Sequence, residues 1–269
     1  MKTLYISDLD GTLLRSDASL SAYTCCTVND LTEKGILFTY ATARSLRTAH
    51  SVTKGLTTPI PLILNNGTFV LDTATGKLLL SNFLPDNGEY AIRLLYDAGI
   101  SPIVYAIIDG KERFSFIPSL ATEGIMTFIG SRGDDPRKRM VSSMEELLEG
   151  NIFYITCIDE EHKLKPMHDQ LKDRYRCLFY REIYSGNPFF EIMSADASKS
   201  KAALFLKEYL GCEHMVVFGD GENDADLFRA ADRAYAVSNA VKELKDIADN
   251  IIDSNDNDAV ARWLAMNAV

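Results

Sequence analysis

The sequence predicts an α/β fold in which a parallel-sheet core is interrupted by an inserted α+β domain. Three observations support this prediction. Short apolar runs alternate with helical patterns in the first third of the chain, the alternation returns in the last third, and the middle carries hairpin signals instead. A length of 269 residues suits one large domain or two modest ones, and 46% hydrophobic with 25% charged residues is ordinary globular usage.

Strands alternate with helices in the first third, which favours a parallel sheet covered by helices. The predicted strands are Leu4–Ser7, Ile36–Ala41 and Leu62–Leu64, and the predicted helices are Leu20–Lys34 and Ser45–Lys54. Gly35 and Gly55 end the two helices, since glycine is the common stop signal after the last periodic residue.

The middle of the chain follows a different pattern, which predicts the insert. Asp109-Gly110 between two apolar runs is a strong hairpin signal, and turn-forming clusters at Pro85–Gly88 and Ser185–Pro188 suit hinges. The predicted elements are the helices Glu89–Ala98 and His162–Tyr175 and the strands Val104–Ile108, Glu112–Ile117, Ile152–Ile158, Cys177–Tyr184 and Phe189–Met193. We therefore expect a first core segment over 1–83, the insert over 84–186 and a second core segment over 187–269.

The last third returns to the alternation of the first. The predicted helices are Ser198–Leu210, Asn223–Ala231, Val241–Ala248 and Asp258–Met266, and the predicted strands are Met215–Phe218, Ala234–Val237 and Ile251–Ile252. Because the pattern is the same on both sides of the insert, the two outer segments are expected to share one sheet.

Charge and composition argue against several classes of protein. The net charge is -10 and the sequence lacks a basic stripe, which argues against a nucleic-acid partner. No uncharged apolar stretch reaches about 18 residues, and the apolar start is too short for a signal peptide, so we expect a soluble cytoplasmic protein without a membrane partner. Five cysteines without CxxC spacing and four scattered histidines form no zinc pattern.

The strongest motif is the segment Asp8–Thr12, which directly follows a predicted buried strand. Ligands of parallel α/β sheets bind beyond the carboxyl ends of the strands, where a carboxylate such as Asp8 can act as a nucleophile. Asp10 can protonate a leaving oxygen and then deprotonate water, and Gly11 allows the sharp turn that this requires. An acidic turn is the alternative. A calcium loop fails on spacing, because its template needs glycine at position six and glutamate at position twelve, where Ser19 stands.

The second motif is Gly219–Asp224, again after an apolar strand. Two glycines flank Asp220, and Asp224 opens the next helix, an arrangement that suits Mg²⁺ with a few carboxylates and water. The alternative is a glycine-rich turn with an N-capping residue. A dinucleotide fingerprint is excluded because Asp224 occupies the position of its third glycine.

Two shorter segments add phosphate-binding candidates. Thr42 follows a predicted strand, where its hydroxyl and the next helix N-terminus can hold phosphate oxygens, although threonine is also a common N-cap. Arg44 is a candidate partner of an anionic substrate. Lys199 begins a helix and can neutralise phosphate charge, with Lys201 as a rival two residues later.

Together, in this order, these four segments resemble the haloacid dehalogenase (HAD) superfamily of phosphatases. The insert resembles the type IIB (C2B) cap of the Cof-like hydrolases, and the resemblance covers nearly the whole chain. It implies a Rossmann-like HAD core, and Asn66-Gly67 and Ser238–Ala240 also match the family. The chain departs from the family pattern at Ala43 and Ser200, where glycine is usual, and at Ser194, where proline is common.

The resemblance implies a role for each motif residue. Asp8 is the expected nucleophile, Asp10 the expected general acid/base, and Mg²⁺ the expected cofactor, held by Asp8, the Asp10 backbone, Asp220 and Asp224, with Asn223 orienting metal-bound water or phosphate. The residues expected at the phosphoryl group or substrate are Leu9, Gly11, Thr42, Ala43, Arg44, Lys199 and Asn223.

The function implied is a magnesium-dependent phosphatase that acts on a small phosphate ester through an aspartyl-phosphate, as a monomer or weak homodimer. Sugar phosphates are the commonest substrates in the family, and pyridoxal phosphate or flavin mononucleotide are alternatives. A phosphomutase and a non-catalytic sugar-phosphate sensor are alternative functions. Candidate specificity residues in the cap are Arg113, Arg181 and Tyr184.

Overall fold

The computed structural model of the chain describes residues 2–181 and 186–268. The described residues form two compact units, one made of residues 2–81 and 197–268 and the other of residues 82–196. The first unit is thus built from both ends of the chain, as the repeated strand–helix alternation predicts.

The strands of both units, in chain order, are β1 (Thr3–Ser7), β2 (Leu37–Tyr40), β3 (Leu62–Leu64), β4 (Phe69–Asp72), β5 (Lys77–Ser81), β6 (Pro102–Ile108), β7 (Lys111–Phe116), β8 (Lys138–Met140), β9 (Asn151–Ile158), β10 (Tyr175–Arg181), β11 (Pro188–Ser194), β12 (His214–Gly219), β13 (Arg233–Val237) and β14 (Asn250–Ile252). The helices are α1 (Ala22–Glu33), α2 (Leu46–Val52), α3 (Glu89–Asp97), α4 (Glu123–Ser131), α5 (Met144–Leu147), α6 (Glu161–Leu171), α7 (Lys199–Tyr209), α8 (Ala225–Ala230), α9 (Lys242–Lys245) and α10 (Ala259–Asn267).

The first unit is built on a five-stranded parallel sheet with the order β14-β13-β12-β1-β2. Its central strands are buried along nearly their whole length, which is the reason they read as continuous apolar runs. A parallel bridge from Ala41 to Ile63 continues this order to β3, which starts a separate antiparallel β3-β4-β5 sheet. Strands β4 and β5 were not predicted.

Helix starts in the first unit follow local capping chemistry. The hydroxyls of Ser21, Ser45 and Ser198 accept hydrogen bonds from backbone N–H groups in the first turns of α1, α2 and α7. Helix α1 contacts α10, and α7 contacts α8. The α/β class predicted for this unit is therefore confirmed, and the capping serines explain where α2 and α7 begin.

The second unit is an α+β block with a six-stranded sheet of order β10-β11-β9-β6-β7-β8. The hairpin predicted at Asp109-Gly110 joins β6 to β7. The structure adds elements that were not predicted, namely β8, α4 and α5. Among the specificity candidates, Arg113 donates to the carbonyl of Pro136 and Arg181 pairs with Glu161, whereas Tyr184 lies outside the described residues.

The predicted limits of the insert need correction, mainly at the second boundary. The structure divides the chain after residues 81 and 196, where the sequence predicted divisions after residues 83 and 186. Strand β11 is the reason, because it pairs antiparallel with both β10 and β9 and so belongs to the sheet of the second unit. The predicted strand 177–184 begins at Tyr175, and its residues 182–184 lie outside the described part of the chain.

Within residues 2–181 and 186–268, no helix combines the length and apolar character that crossing a membrane requires.

Candidate active site

The two strongest sequence motifs leave the sheet side by side. Strands β1 and β12 pair in parallel with Ser7 opposite Phe218, so the chain segments that follow them emerge at the same edge. The backbone N–H of Asp8 donates to the Phe218 carbonyl at 2.9 Å, which extends this pairing by one residue. The topology therefore brings Asp8 next to the loop that begins at Gly219.

A buried lysine joins these two segments. The Lys199 ammonium lies 2.5 Å from Asp8 Oδ1 and 2.7 Å from Asp224 Oδ1. The exposed fractions of the three side chains are 1% for Lys199, 9% for Asp8 and 0% for Asp224. Lys199 is the first residue of α7, and the rival Lys201 is exposed. The structure thus places Lys199, and not Lys201, among the site carboxylates.

Both carboxylate oxygens of Asp224 accept hydrogen bonds. Its Oδ1 accepts from Lys199, and its Oδ2 accepts the backbone N–H groups of Asp220 and Gly221, each at 3.1 Å. This side chain therefore folds the Gly219–Asp224 loop back on itself while it holds the lysine.

The ionisation of the cluster follows from its burial. Burial raises the pKa of the Asp8 carboxyl well above its ordinary value, against the attraction of Lys199, and nearby Asp224 and Asp220 raise it further. Burial alone lowers the pKa of Lys199, but Asp224 and Asp8 more than offset this, so that the pKa of the lysine is raised. The lysine is therefore a stable cation beside carboxylates that repel one another.

Asp220 is the third carboxylate of the cluster. Its Oδ1 accepts a hydrogen bond of 2.7 Å from the Thr12 hydroxyl, and burial is the main cause that raises its pKa to about 6. Gly11 has φ +76°, and a side chain there would overlap the Asp220 carboxylate. Glycine is therefore required at this position both for the backbone conformation and for the space that Asp220 occupies.

The donor set fits a divalent cation. One carboxylate oxygen from each of Asp8, Asp220 and Asp224 can be chosen so that all three lie within 4.8 Å of one another. In the described chain, Oδ2 of Asp8 and Oδ2 of Asp220 accept no hydrogen bond from protein. Among the described residues, three carboxylates lie near one ammonium, which leaves an excess of negative charge, and oxygen donors of this kind are those that Mg²⁺ prefers.

The predicted general acid/base lies beside this cluster, paired with an arginine. Asp10 receives two hydrogen bonds from Arg44, from Nε to Oδ2 at 2.7 Å and from Nη2 to Oδ1 at 2.5 Å. Thr42 is fully buried, and its hydroxyl accepts the backbone N–H of Arg44 at 3.1 Å. Arg44, expected at the substrate, thus contacts Asp10 in this structure.

The remaining predicted residues contribute backbone or packing. Leu9 is fully buried, so its side chain belongs to the core, and Ala43 is exposed. Ala43 does not have a positive φ, so alanine fits without strain where the family has glycine. Asn223 donates to the Asn66 side chain at 3.4 Å.

Sequence reasoning missed several supporting residues of the site. It did not predict that Thr12 would hold Asp220 or that the Asn239 amide would donate to the Gly11 carbonyl at 2.7 Å. A side chain at Gly67 would overlap the backbone of Ser198 and Lys199, so this glycine lets α7 approach the site. All three lie in segments that match the family, namely Asp8–Thr12, Asn66-Gly67 and Ser238–Ala240, and this match was the available signal.

Residues 5–264 match the family described as haloacid dehalogenase-like hydrolase, and the chain belongs to this family. The 5-amino-6-(5-phospho-D-ribitylamino)uracil phosphatase YwtE of Bacillus subtilis is 28% identical, over 98% of this chain and 97% of that protein. The family membership agrees with the resemblance that the four motifs indicated.

Solved structures agree with the fold. A crystal structure from Thermotoga maritima has a TM-score of 0.82 at 23% identity, covering 100% of this chain and 98% of that one. A protein described as a HAD subclass IIB sugar phosphatase has a TM-score of 0.75 at 18% identity, covering 99% of this chain and 98% of its own. At these identities the likeness concerns the fold, and it confirms the predicted α/β class with a parallel-sheet core.

Proposed function

We propose that this hydrolase is a Mg²⁺-dependent phosphatase that transfers a phosphoryl group from a small phosphorylated metabolite to Asp8 and then to water. The observation that carries the proposal is the buried Lys199 ammonium between Asp8 and Asp224, with Asp220 beside them. This arrangement supports the proposal because a carboxylate that can act as a nucleophile lies beside fixed positive charge, and phosphoryl transfer depends mainly on such positioning and charge stabilisation.

The residues fit two successive displacements. One oxygen of the Asp8 carboxylate attacks phosphorus, and the bond from phosphorus to the leaving oxygen breaks as the Asp10 carboxylic acid gives that oxygen a proton. The Asp10 carboxylate then takes a proton from water, which attacks phosphorus and breaks the bond to Asp8. Inorganic phosphate leaves, and both aspartates return to their starting forms.

The chain's own groups support these steps through positive charge, hydrogen bonding and metal binding. Lys199 offsets negative charge on Asp8 and on the transferring phosphoryl group, and the buried Thr42 hydroxyl can donate to a phosphoryl oxygen. Asp8 and Asp220 are the proposed direct metal ligands, whereas Asp224, with both oxygens already accepting hydrogen bonds, positions Lys199 and the loop. When bound, Mg²⁺ would neutralise the phosphoryl oxygens and the excess carboxylate charge.

The proposed substrate class is a phosphate ester of a polyhydroxylated compound. The Bacillus subtilis relative is named for a phosphoribityl substrate, and a structural neighbour is described as a sugar phosphatase. Both names contain a phosphorylated polyol or sugar, which supports this class. Turnover of a panel containing sugar phosphates, pyridoxal phosphate and flavin mononucleotide tests the choice.

The decisive test of the chemistry uses p-nitrophenyl phosphate with and without Mg²⁺. We expect Mg²⁺-dependent turnover, a phosphorylated Asp8 peptide in rapidly quenched samples, and no turnover by Asp8→Asn. Arg233→Ala, which removes an exposed ion pair with Asp249 from the same unit, is the matched control and should keep full activity. Binding of sugar phosphates without turnover of any phosphate ester would instead support the sensor.

A further inference from the structure

The contact between Arg44 and Asp10 uses both oxygens of the carboxylate, and the second lone pair of each oxygen stays available for the proton that Asp10 transfers. Nε and Nη2 of Arg44 donate to different oxygens of Asp10, at 2.7 and 2.5 Å. A two-point contact of this kind fixes the plane of the carboxylate as well as its position, which a single contact to lysine does not do.

The backbone N–H and the backbone carbonyl of Arg44 both form hydrogen bonds. Its N–H donates to the Thr42 hydroxyl at 3.1 Å, and its carbonyl accepts from the Asn65 N–H at 3.0 Å. The next residue, Ser45, caps α2. The arginine therefore projects from a segment that is tied to the ends of β2 and β3.

The backbone that carries Asp10 is also constrained. Gly11 takes the left-handed conformation and lies against Asp220, and its carbonyl accepts from the Asn239 amide at 2.7 Å. Two anchored backbones thus face each other, and the side chains of Asp10 and Arg44 join them.

Folding stability does not account for this pair. The side chains are 48% exposed for Asp10 and 25% exposed for Arg44, and exposed ion pairs stabilise proteins by only about 0–1 kcal/mol. Resting on the proposed function, we infer that Arg44 is a positioning residue that orients the Asp10 carboxyl for its two proton transfers. Under this assignment Arg44 acts through Asp10 and is not a binding group for the phosphate of the substrate.

The two roles predict different dependence on the leaving group. A p-nitrophenolate leaves with little protonation, whereas the alkoxide of an alkyl phosphate needs the proton of Asp10. In single-turnover phosphorylation, Arg44→Ala should therefore lose at least about tenfold more rate on an alkyl phosphate than on p-nitrophenyl phosphate. Asp10→Asn should show the same pattern, while an equal loss on both esters would mean that Arg44 binds substrate and would overturn the inference.

A double substitution supplies the second, independent test. Once Asp10→Asn has removed the acid/base, Arg44→Ala should change steady-state turnover of p-nitrophenyl phosphate by no more than about twofold, because its partner has already gone. A further loss as large as the one that Arg44→Ala causes in the wild-type protein would contradict the inference. Added guanidinium should restore part of the activity of Arg44→Ala and none in the double variant.

The controls separate this inference from the proposed function. Mg²⁺-dependent turnover by wild type and its loss in Asp8→Asn test the proposed function alone. Arg44→Lys keeps the charge without the two-point contact, so it should resemble Arg44→Ala in its dependence on the leaving group, whereas recovery of wild-type behaviour by lysine would count against orientation. Arg233→Ala should match wild type on both esters.

Discussion

Ion pairs of two kinds meet at the proposed active site, and they differ in burial. Lys199 is 1% exposed and lies between two carboxylates, whereas Asp10, paired with Arg44, is 48% exposed. Removing one partner of a buried pair leaves an uncompensated charge, but an exposed partner is simply hydrated. The same chemical contact therefore supports the fold in the buried cluster and only sets geometry in the exposed pair.

The buried cluster also contains more negative than positive charge, which distinguishes it from the exposed pair. Asp10 contacts an arginine at both of its oxygens, whereas among the described residues three carboxylates, those of Asp8, Asp220 and Asp224, lie near one ammonium. The folded chain thus holds repelling carboxylates that a divalent cation would neutralise, so metal binding and stability should be linked there.

The largest effect on stability is expected from Lys199→Met, which tests the contrast between the buried cluster and the exposed pair. Without Mg²⁺ the free energy of unfolding should fall by about 3–5 kcal/mol, because Asp8 and Asp224 lose their buried partner. Mg²⁺ should return part of this loss, since it supplies positive charge to the same carboxylates. Urea denaturation in EDTA and in Mg²⁺ measures both values.

Lys201→Met is the matched control, two residues along the same helix but exposed. It should change the free energy of unfolding by no more than about 1 kcal/mol, because interactions of an exposed charge contribute little. If both lysine variants lost the same small amount in EDTA, burial would not distinguish the two kinds of ion pair.

The second prediction concerns pH and metal together. The pKa of Asp220 is raised to about 6, chiefly by burial, against an ordinary value of 3.8. The folded protein thus keeps a proton that the unfolded chain releases, and the stability of the metal-free protein falls as pH rises from about 4 to about 6. Mg²⁺ needs the ionised carboxylate, so its affinity should rise over this window by up to about tenfold per pH unit.

The measurement is the difference in melting temperature with and without Mg²⁺ between about pH 4.5 and about pH 7.5, and it should grow through pH 6. Burial also raises the pKa of Asp8, so its protonation adds to the same trend. Asp220→Asn should flatten the dependence, and a constant Mg²⁺ effect across this range would show that proton and metal do not compete.

The position of ligand sites beyond the ends of parallel strands predicted that Asp8 and Asp220 would lie close together, because their positions depend on topology. Asp8 and Asp220 each follow a parallel strand, and adjacent parallel strands deliver their loops to one edge. The choice between Lys199 and Lys201 depended on which helix face meets the core, because residues two apart on a helix point to different sides. Tertiary packing decides that, and one sequence does not contain it.

The contact between Asp10 and Arg44 could not be predicted from the sequence for a related reason. Asp10 and Arg44 were both predicted at the site, but their mutual contact depends on side-chain directions in two separate loops. The predicted second boundary of the insert was also wrong. The sequence of β11 is that of a strand in either unit, and only its pairing with β9 and β10 shows that it belongs to the second unit. Local patterns identified the strand, while long-range pairing decided its sheet.

A smaller effect is expected from Thr12→Val, which tests how the buried cluster is oriented. The Thr12 hydroxyl donates to Asp220 at 2.7 Å, and valine keeps the shape but removes this donor. Groups that orient metal ligands commonly affect metal affinity by 10–100-fold, and we expect about a tenfold weaker Mg²⁺ affinity by calorimetric titration. Thr12→Ser keeps the hydroxyl and should bind like wild type, whereas an unchanged Thr12→Val would show that Asp220 needs no orienting donor.

The smallest effect on the free energy of unfolding is expected from Arg44→Ala. This variant is also the most direct test of the contrast between the buried cluster and the exposed pair. If the pair with Asp10 sets geometry alone, its loss should lower the free energy of unfolding by less than about 1 kcal/mol, since water replaces the partner of an exposed carboxylate. The same samples should show the large, leaving-group-dependent loss of phosphorylation rate. A fall above about 2 kcal/mol in urea denaturation would mean that the arginine supports the loops after β1 and β2, so that its kinetic effect would follow from local unfolding instead of from the orientation of one carboxyl.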